Sequence, residues 1–286
     1  MKDSELVEID NTDDPEAYFN LGVKLGEKGD FDGAIEAFNK GLKLNPEEVV
    51  AWINLGLVYG WKGQFHSEIE AYRKALELDP TNLEIWINLG IVLEETNDFK
   101  GAINAYLKAL ELESEDTDNW FDLGVAFGRM EDFKNAITAY NKVLELNPRD
   151  SQAWLNTGVI YMQTDQFKDA QTAFEKAIEI DPNDEKAWYN LGLILGKKGD
   201  IDAEINSYRK ALELDSKIEL AWYNLAVALE EKKDFKGAID AYKNVLELDP
   251  EDDETWEDLS VVLKKMGDNK GAKEAKNKAN LLRNPQ

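Results

Sequence analysis

Residues 151–184 show the pattern that organises the whole chain. Ala153, Trp154, Thr157, Gly158, Ile160 and Tyr161 recur at three-and-four spacing, which places small and apolar groups on one helical face and predicts a helix over roughly 152–164. Asp150 stands where a side-chain oxygen can cap that helix. Asp165 and Gln166 make the turn. A second apolar face, Phe167, Ala170, Phe174, Ala177 and Ile178, predicts a helix over roughly 168–180, and Pro182 stops it. Gly158 opposite Ala170 should let the two helices approach closely.

This helix-turn-helix recurs every 34 residues. Trp52, Trp86, Trp120, Trp154, Trp188, Trp222 and Trp256 mark the period, and Tyr18 holds the same place in a first copy. Twenty residues after each of the first six Trp stands an aromatic residue: Tyr72, Tyr106, Tyr140, Phe174, Tyr208 and Tyr242. The turn carries Gly29, Gly63, Gly199 or Gly267 in other copies, residues that accept positive φ cheaply. The eight copies are 15–48, 49–82, 83–116, 117–150, 151–184, 185–218, 219–252 and 253–286. In the last copy Lys276 replaces the aromatic and Lys273 the usual Ile, which reads as a polar end cap. Residues 1–14 form a leader whose Leu6-Val7-Glu8-Ile9-Asp10 looks like the degraded end of a preceding helix.

The pattern Trp-x2-Leu-Gly-x2-Tyr, Ala-x3-Phe, Pro in 34 residues resembles the tetratricopeptide repeat, and the resemblance covers 15–286. It implies an all-α fold: a right-handed superhelix of about 16 helices, two per repeat, in which no pair buries its faces alone and neighbours must stack. It also implies that each first helix, helix A, lines a concave groove with repeat positions 2, 5, 6, 9, 12 and 13. Position 6 then forms a ladder, Asn20, Asn54, Asn88, Asn156, Asn190 and Asn224, with Asp122 and Asp258 in the other copies. A carboxamide both donates and accepts, so such a ladder can pair with the backbone of an extended chain. Asn can equally bond locally or to water. Position 5 (Phe19, Ile53, Ile87, Phe121, Leu155, Tyr189, Tyr223, Glu257) and position 9 (Val23, Leu57, Ile91, Val125, Val159, Leu193, Val227, Val261) are expected to give the groove an apolar floor. Gly26, Gly60, Gly128 and Gly196 at position 12 should widen it. The carboxylate clamp of the chaperone-tail-binding members needs Lys and Asn at positions 5 and 9, which are apolar here, so acidic tails are disfavoured.

Copies four apart match best. Glu68 and Glu204 both replace the small residue at position 20, and Arg73 and Arg209 follow each in register. Asp-Phe-Lys-Gly-Ala-Ile at 98–103 recurs at 234–239, after Leu-Glu-Glu in both places. A block of 136 residues was therefore duplicated. Glu94, Glu95 and Asp122 recur as Glu230, Glu231 and Asp258, and each set is expected to form a carboxylate site beside the floor supplied by Ile87 and Phe121 or by Tyr223. The second set, which also has Glu254 and Glu257, should be the more acidic. An unpaired buried carboxylate is costly, so Glu68 and Glu204 are each expected to be relieved by an Arg.

Net charge sharpens the partner class. With 33 Lys and Arg against 58 Asp and Glu, the chain carries −25, repels a phosphate backbone and suits basic or apolar protein segments, so no nucleic acid is expected. It has no Cys and one His, His66, so neither a thiol nucleophile nor a zinc ligand set can be assembled. No Gly-rich phosphate loop occurs, and neither catalysis nor a cofactor is expected. No apolar run reaches the roughly 20 residues of a membrane span and no signal sequence opens the chain, which suggests a cytoplasmic protein. The sequence points to a non-enzymatic scaffold that binds an extended peptide or a partner's helix. A scaffold that self-assembles into homo-oligomers and a recruiting module of a larger enzyme are the alternatives. Its candidate contacts are Asn54, Asn88, Asn156, Asn190, Asn224, Ile53, Ile87, Phe121, Leu155, Tyr189, Tyr223, Glu94, Asp122, Glu230 and Asp258.

Overall fold

The computed structural model describes residues 13–283, so the expected helical leader at Leu6–Asp10 lies outside the described residues. Among those described there are sixteen α-helices and no strand. They fall into two compact units that meet between Leu146 and Asn147. The first holds α1 (Pro15–Glu27), α2 (Phe31–Leu44), α3 (Val49–Trp61), α4 (Phe65–Leu78), α5 (Leu83–Glu95), α6 (Phe99–Leu112), α7 (Thr117–Arg129) and α8 (Phe133–Leu146). The second holds α9 (Ser151–Gln163), α10 (Phe167–Ile180), α11 (Glu185–Lys197), α12 (Ile201–Leu214), α13 (Glu219–Glu231), α14 (Phe235–Leu248), α15 (Asp253–Lys265) and α16 (Asn269–Arg283). No helix among the described residues is long and apolar enough to cross a membrane.

Local chemistry sets the helix ends. Asp150 caps α9, accepting a hydrogen bond from the Ala153 amide at 2.8 Å. Asp98 does the same for α6 through the Gly101 amide at 3.0 Å. The turn between the two helices of every repeat needs one left-handed residue. Gly29, Gly63, Gly199 and Gly267 supply it, and Asn97, Glu131, Asp165 and Lys233 adopt it with side chains attached, at φ between 58° and 67°. Each repeat Trp reaches back to the linker before its helix: Trp52 Nε1 donates to the Pro46 carbonyl and Trp86 Nε1 to the Pro80 carbonyl, both at 2.9 Å. The indole thus ties each A helix to the end of the preceding B helix.

In the first six repeats helices A and B close on one another through an aromatic ring laid on a glycine, and in the seventh Ala226 takes the glycine's place. A Cβ added to Gly158 would stand 2.6 Å from the Phe174 ring, and one added to Gly56 would stand 2.6 Å from Tyr72. The close approach expected opposite Ala170 is therefore made by Phe174. Ser260 takes the glycine's place in the last repeat, where Lys276 brings no ring. The buried faces of α3 to α8 form one cluster around Tyr72, Tyr106 and Leu123. Those of α12 to α16 form another around Tyr208, Tyr242 and Leu225.

Candidate functional site

Position 5 is more covered than its apolar character suggests. Ile53 and Leu155 are buried, at 9% and 4% exposure, and cannot floor a groove. Ile87 and Phe19 are half-buried. Phe121 packs edge-on against Tyr140, with ring centroids 5.5 Å apart, and Tyr189 and Tyr223 lie 5.9 Å from Tyr208 and Tyr242. The aromatic of helix B draws position 5 toward the core, because a ring gains more by burial against another ring than in water. The exposed apolar row is position 9: Val23, Ile91, Val227 and Val261 are each 41–43% exposed.

The ladder differs between the units. In the second, Asn224 Nδ2 donates to the Tyr189 hydroxyl at 3.2 Å, and the Tyr223 hydroxyl donates to Asp258 at 2.8 Å. In the first, Phe19, Ile53, Ile87 and Phe121 at the tyrosine positions carry no hydroxyl, and Asn54 and Asn88 keep their amides half-exposed. Asn156 and Asn190 are also half-buried.

Glu94 and Asp122 line one cavity of about 420 Å³. Ile91, Phe99, Tyr106, Glu95, Asn97 and Arg129 complete its wall. Ile87 and Phe121 do not line it; Ile91 and Phe99 supply the apolar side. The Tyr106 hydroxyl donates to Glu94 at 3.2 Å. Burial pushes the Glu94 carboxyl up, against the Tyr106 hydrogen bond and the Arg129 charge. Burial, then the charges of Glu94, Asp118 and Asp116, push Asp122 up to about 6.

The second set is not the more acidic in effect. Lys265 pairs with Glu230 at 2.5 Å. Glu257 is paired with Lys276 and, at 3.2 Å, with Arg283, and the Lys276 hydrogen bond holds it below the usual carboxylate range. The basic residues of the polar cap account for this reversal. Counting carboxylates missed it because the cations sit on other helices than the acids they meet: Lys265 on α15 reaches Glu230 on α13, and Lys276 and Arg283 on α16 reach Glu257 on α15.

Glu68 and Glu204 find tyrosines rather than arginines. Glu68 is buried, is hydrogen-bonded by Tyr72 one helical turn on, and is pushed up to about 6 chiefly by burial. Arg73 pairs instead with Glu70 at 3.0 Å. Tyr208 likewise bonds Glu204, while Arg209 lines a separate cavity with Trp222 and Asp240. The glycines at position 12 accommodate these carboxylates: a Cβ on Gly60 would lie 2.8 Å from Glu68 Oε1, and one on Gly196 would lie 2.5 Å from Glu204 Oε1. Gly60 and Gly196 therefore seat an acid, buried at Glu68 and half-buried at Glu204, rather than widen a rim.

Among the residues that sequence reasoning passed over, Phe99, Tyr106 and Arg129 matter most. The available signal was a contact across repeats, in which position 13 of one copy lies on position 17 of the copy before it. Trp61 packs on Phe31, Lys197 lies over Phe167 and Lys265 over Phe235.

Residues 73–179 and 130–254 match the family described as the cytochrome c-type biogenesis protein H TPR domain, and residues 15–48 and 49–82 match the tetratricopeptide repeat itself. No curated protein sequence matches the chain. Among solved structures, the MamA protein is similar at 31% identity and a TM-score of 0.56 over 60% of this chain and 94% of that one. YrrB, described as a TPR protein with an unusual peptide-binding site, is similar at 26% identity and a TM-score of 0.56 over 70% of this chain and 100% of that one. The C-terminal part of a TPR repeat-containing protein from Cytophaga hutchinsonii shares the fold at 19% identity, with a TM-score of 0.71 over 83% of this chain and 97% of that one.

Proposed function

Because the chain belongs to the tetratricopeptide-repeat family, we propose that it is a protein-interaction scaffold whose A-helix face holds an extended segment of a partner protein. The observation that carries this reading is the pairing, in the first unit, of an exposed apolar row with half-exposed carboxamides. Val23 and Ile91 stand one helical turn from Asn20 and Asn88. Apolar contact supplies affinity, and the amides supply backbone hydrogen bonds that depend little on sequence. YrrB, with the same fold, is described as having a peptide-binding site. The open carboxylates Glu94 and Asp122 favour a segment with a basic residue beside apolar ones. A scaffold needs no catalytic group, and the reading calls on none.

The test begins with capture of partners from the native cell extract, using Asn54→Ala with Asn88→Ala as the control bait. The captured segment is then titrated calorimetrically against both proteins. A net hydrogen bond contributes about 1 kcal/mol, so losing two should weaken binding roughly thirtyfold. Equal affinity, with both proteins folded, would remove the ladder from the binding reading.

A further inference from the structure

The duplicated blocks differ at one place in a way that identifies a ligand. In the second unit the Lys265 ammonium sits 2.5 Å from Glu230 and 6.0 Å from the centre of the Phe235 ring. It is held between a carboxylate and an aromatic face, an arrangement that favours cations over neutral groups. The first unit keeps the same receptor: Glu94 stands for Glu230, Phe99 for Phe235, Tyr106 for Tyr242 and Asp122 for Asp258. Two closures are absent. Ile87 replaces Tyr223 and carries no hydroxyl to give Asp122. Arg129 replaces Lys265 and lines the cavity, where its charge acts on Glu94, but among the described residues no ion pair within 4.0 Å joins the two. The cation site that the second unit fills from its own chain is therefore an open cavity of about 420 Å³ in the first.

We propose that the Glu94–Phe99–Asp122 cavity is a receptor for a primary ammonium group supplied from outside the chain, the side chain of a partner's lysine. The proposal deepens the scaffold reading and rests on it for the source of the lysine. The chemistry fits in three respects. Glu94, offset only in part by the Arg129 charge, and Asp122 offer negative charge. Phe99 and Ile91 cover the aliphatic stem. The Tyr106 hydroxyl fixes one carboxylate by donating to it, leaving the other lone pairs free for the ammonium.

The test uses the full chain and N-acetyl-lysine N-methylamide as probe, with N-acetyl-norleucine N-methylamide as the uncharged control, read by NMR shifts of Ile91 and Asn97. Saturable shifts with the lysine probe alone are expected. Glu94→Gln with Asp122→Asn should weaken them about tenfold or more. Lys265→Ala, which empties the counterpart, should add a second saturable site near Phe235. Equal response to both probes would overturn the proposal. So would binding that emerges only after Arg129→Ala, because Arg129 would then be the resident cation. A partner segment that binds across Asn54 and Asn88 without a lysine here would overturn this inference and leave the scaffold reading standing. Probe binding with no partner on the A-helix face would do the opposite.

Discussion

Replacing Glu68 by Gln should stabilise the protein at neutral pH and leave it unchanged in acid. The Glu68 carboxyl is buried against Gly60 with one hydrogen bond from Tyr72, and Glu95 adds a like charge. These lift it from 4.5 to about 6, with burial the largest cause. A rise of that size corresponds to about 2 kcal/mol of preference for the neutral form. The sign follows from linkage. Between about 4.5 and 6 the folded chain holds a proton that the unfolded chain has released, so the stability from this group is complete below 4.5 and lost as pH rises through 6. Gln is neutral throughout and still offers Tyr72 an acceptor. Its unused amide protons lower the gain, so Glu68→Gln should add about 1–2 kcal/mol at pH 7.5 and nothing at pH 4. Urea unfolding of both proteins at the two pH values measures the difference, in which all other carboxylates cancel. A ¹³C titration of the Glu68 carboxyl reads its protonation directly. A gain that is equal at both pH values, or a carboxyl that titrates near 4.5, would refute the burial argument.

Two further outcomes test the packing. Glu131→Gly and Lys233→Gly replace side chains held at φ of 59° and 67°, and each should raise the thermal midpoint by the equivalent of about 0.5–1 kcal/mol. Gly124→Ala would put a Cβ 2.7 Å from the Tyr140 ring, and overpacking of about 1–3 kcal/mol should outweigh the roughly 1 kcal/mol gained in helix propensity; a more stable variant would show that the ring yields freely.

The repeat was legible because it is written in residues whose roles are local. A ring needs a glycine beneath it, a turn needs a left-handed residue, and a helix needs a cap, so Phe174 with Gly158, Asp165 and Asp150 announce their elements from spacing alone. The exposed row was less legible. Positions 5 and 9 are both largely apolar in the sequence, and the choice between them depends on where the helix B ring lies. Tyr140 and Tyr208 claim their position-5 neighbours, while Ile91 and Val227 remain outside. The partner of Glu68 was misassigned because Arg73 is the nearer cation in the sequence, whereas helical geometry gives Arg73 to Glu70 three residues away. Charge counting failed at Glu230 for the reverse reason, since Lys265 arrives from a neighbouring repeat.

The carboxylate beside the helix B tyrosine is supplied in two alternative ways. In the second and sixth repeats it comes from helix B, as Glu68 and Glu204, and position 12 is glycine to make room. In the third and seventh it comes from helix A at position 12, as Glu94 and Glu230, and position 20 returns to alanine, Ala102 and Ala238. A side chain at position 12 would crowd an acid at position 20, because a Cβ on Gly60 would lie 2.8 Å from Glu68 Oε1. The delivery decides the outcome. An acid arriving from helix B folds inward onto its own tyrosine, as Glu68 does in the core. An acid arriving from helix A stands at the mouth of the cleft, where Glu230 meets Lys265 and Glu94 faces the cavity. Both placements cost stability at neutral pH, since burial raises Glu68 and Glu94 alike. Only the second leaves the charge where a partner's cation can offset that cost.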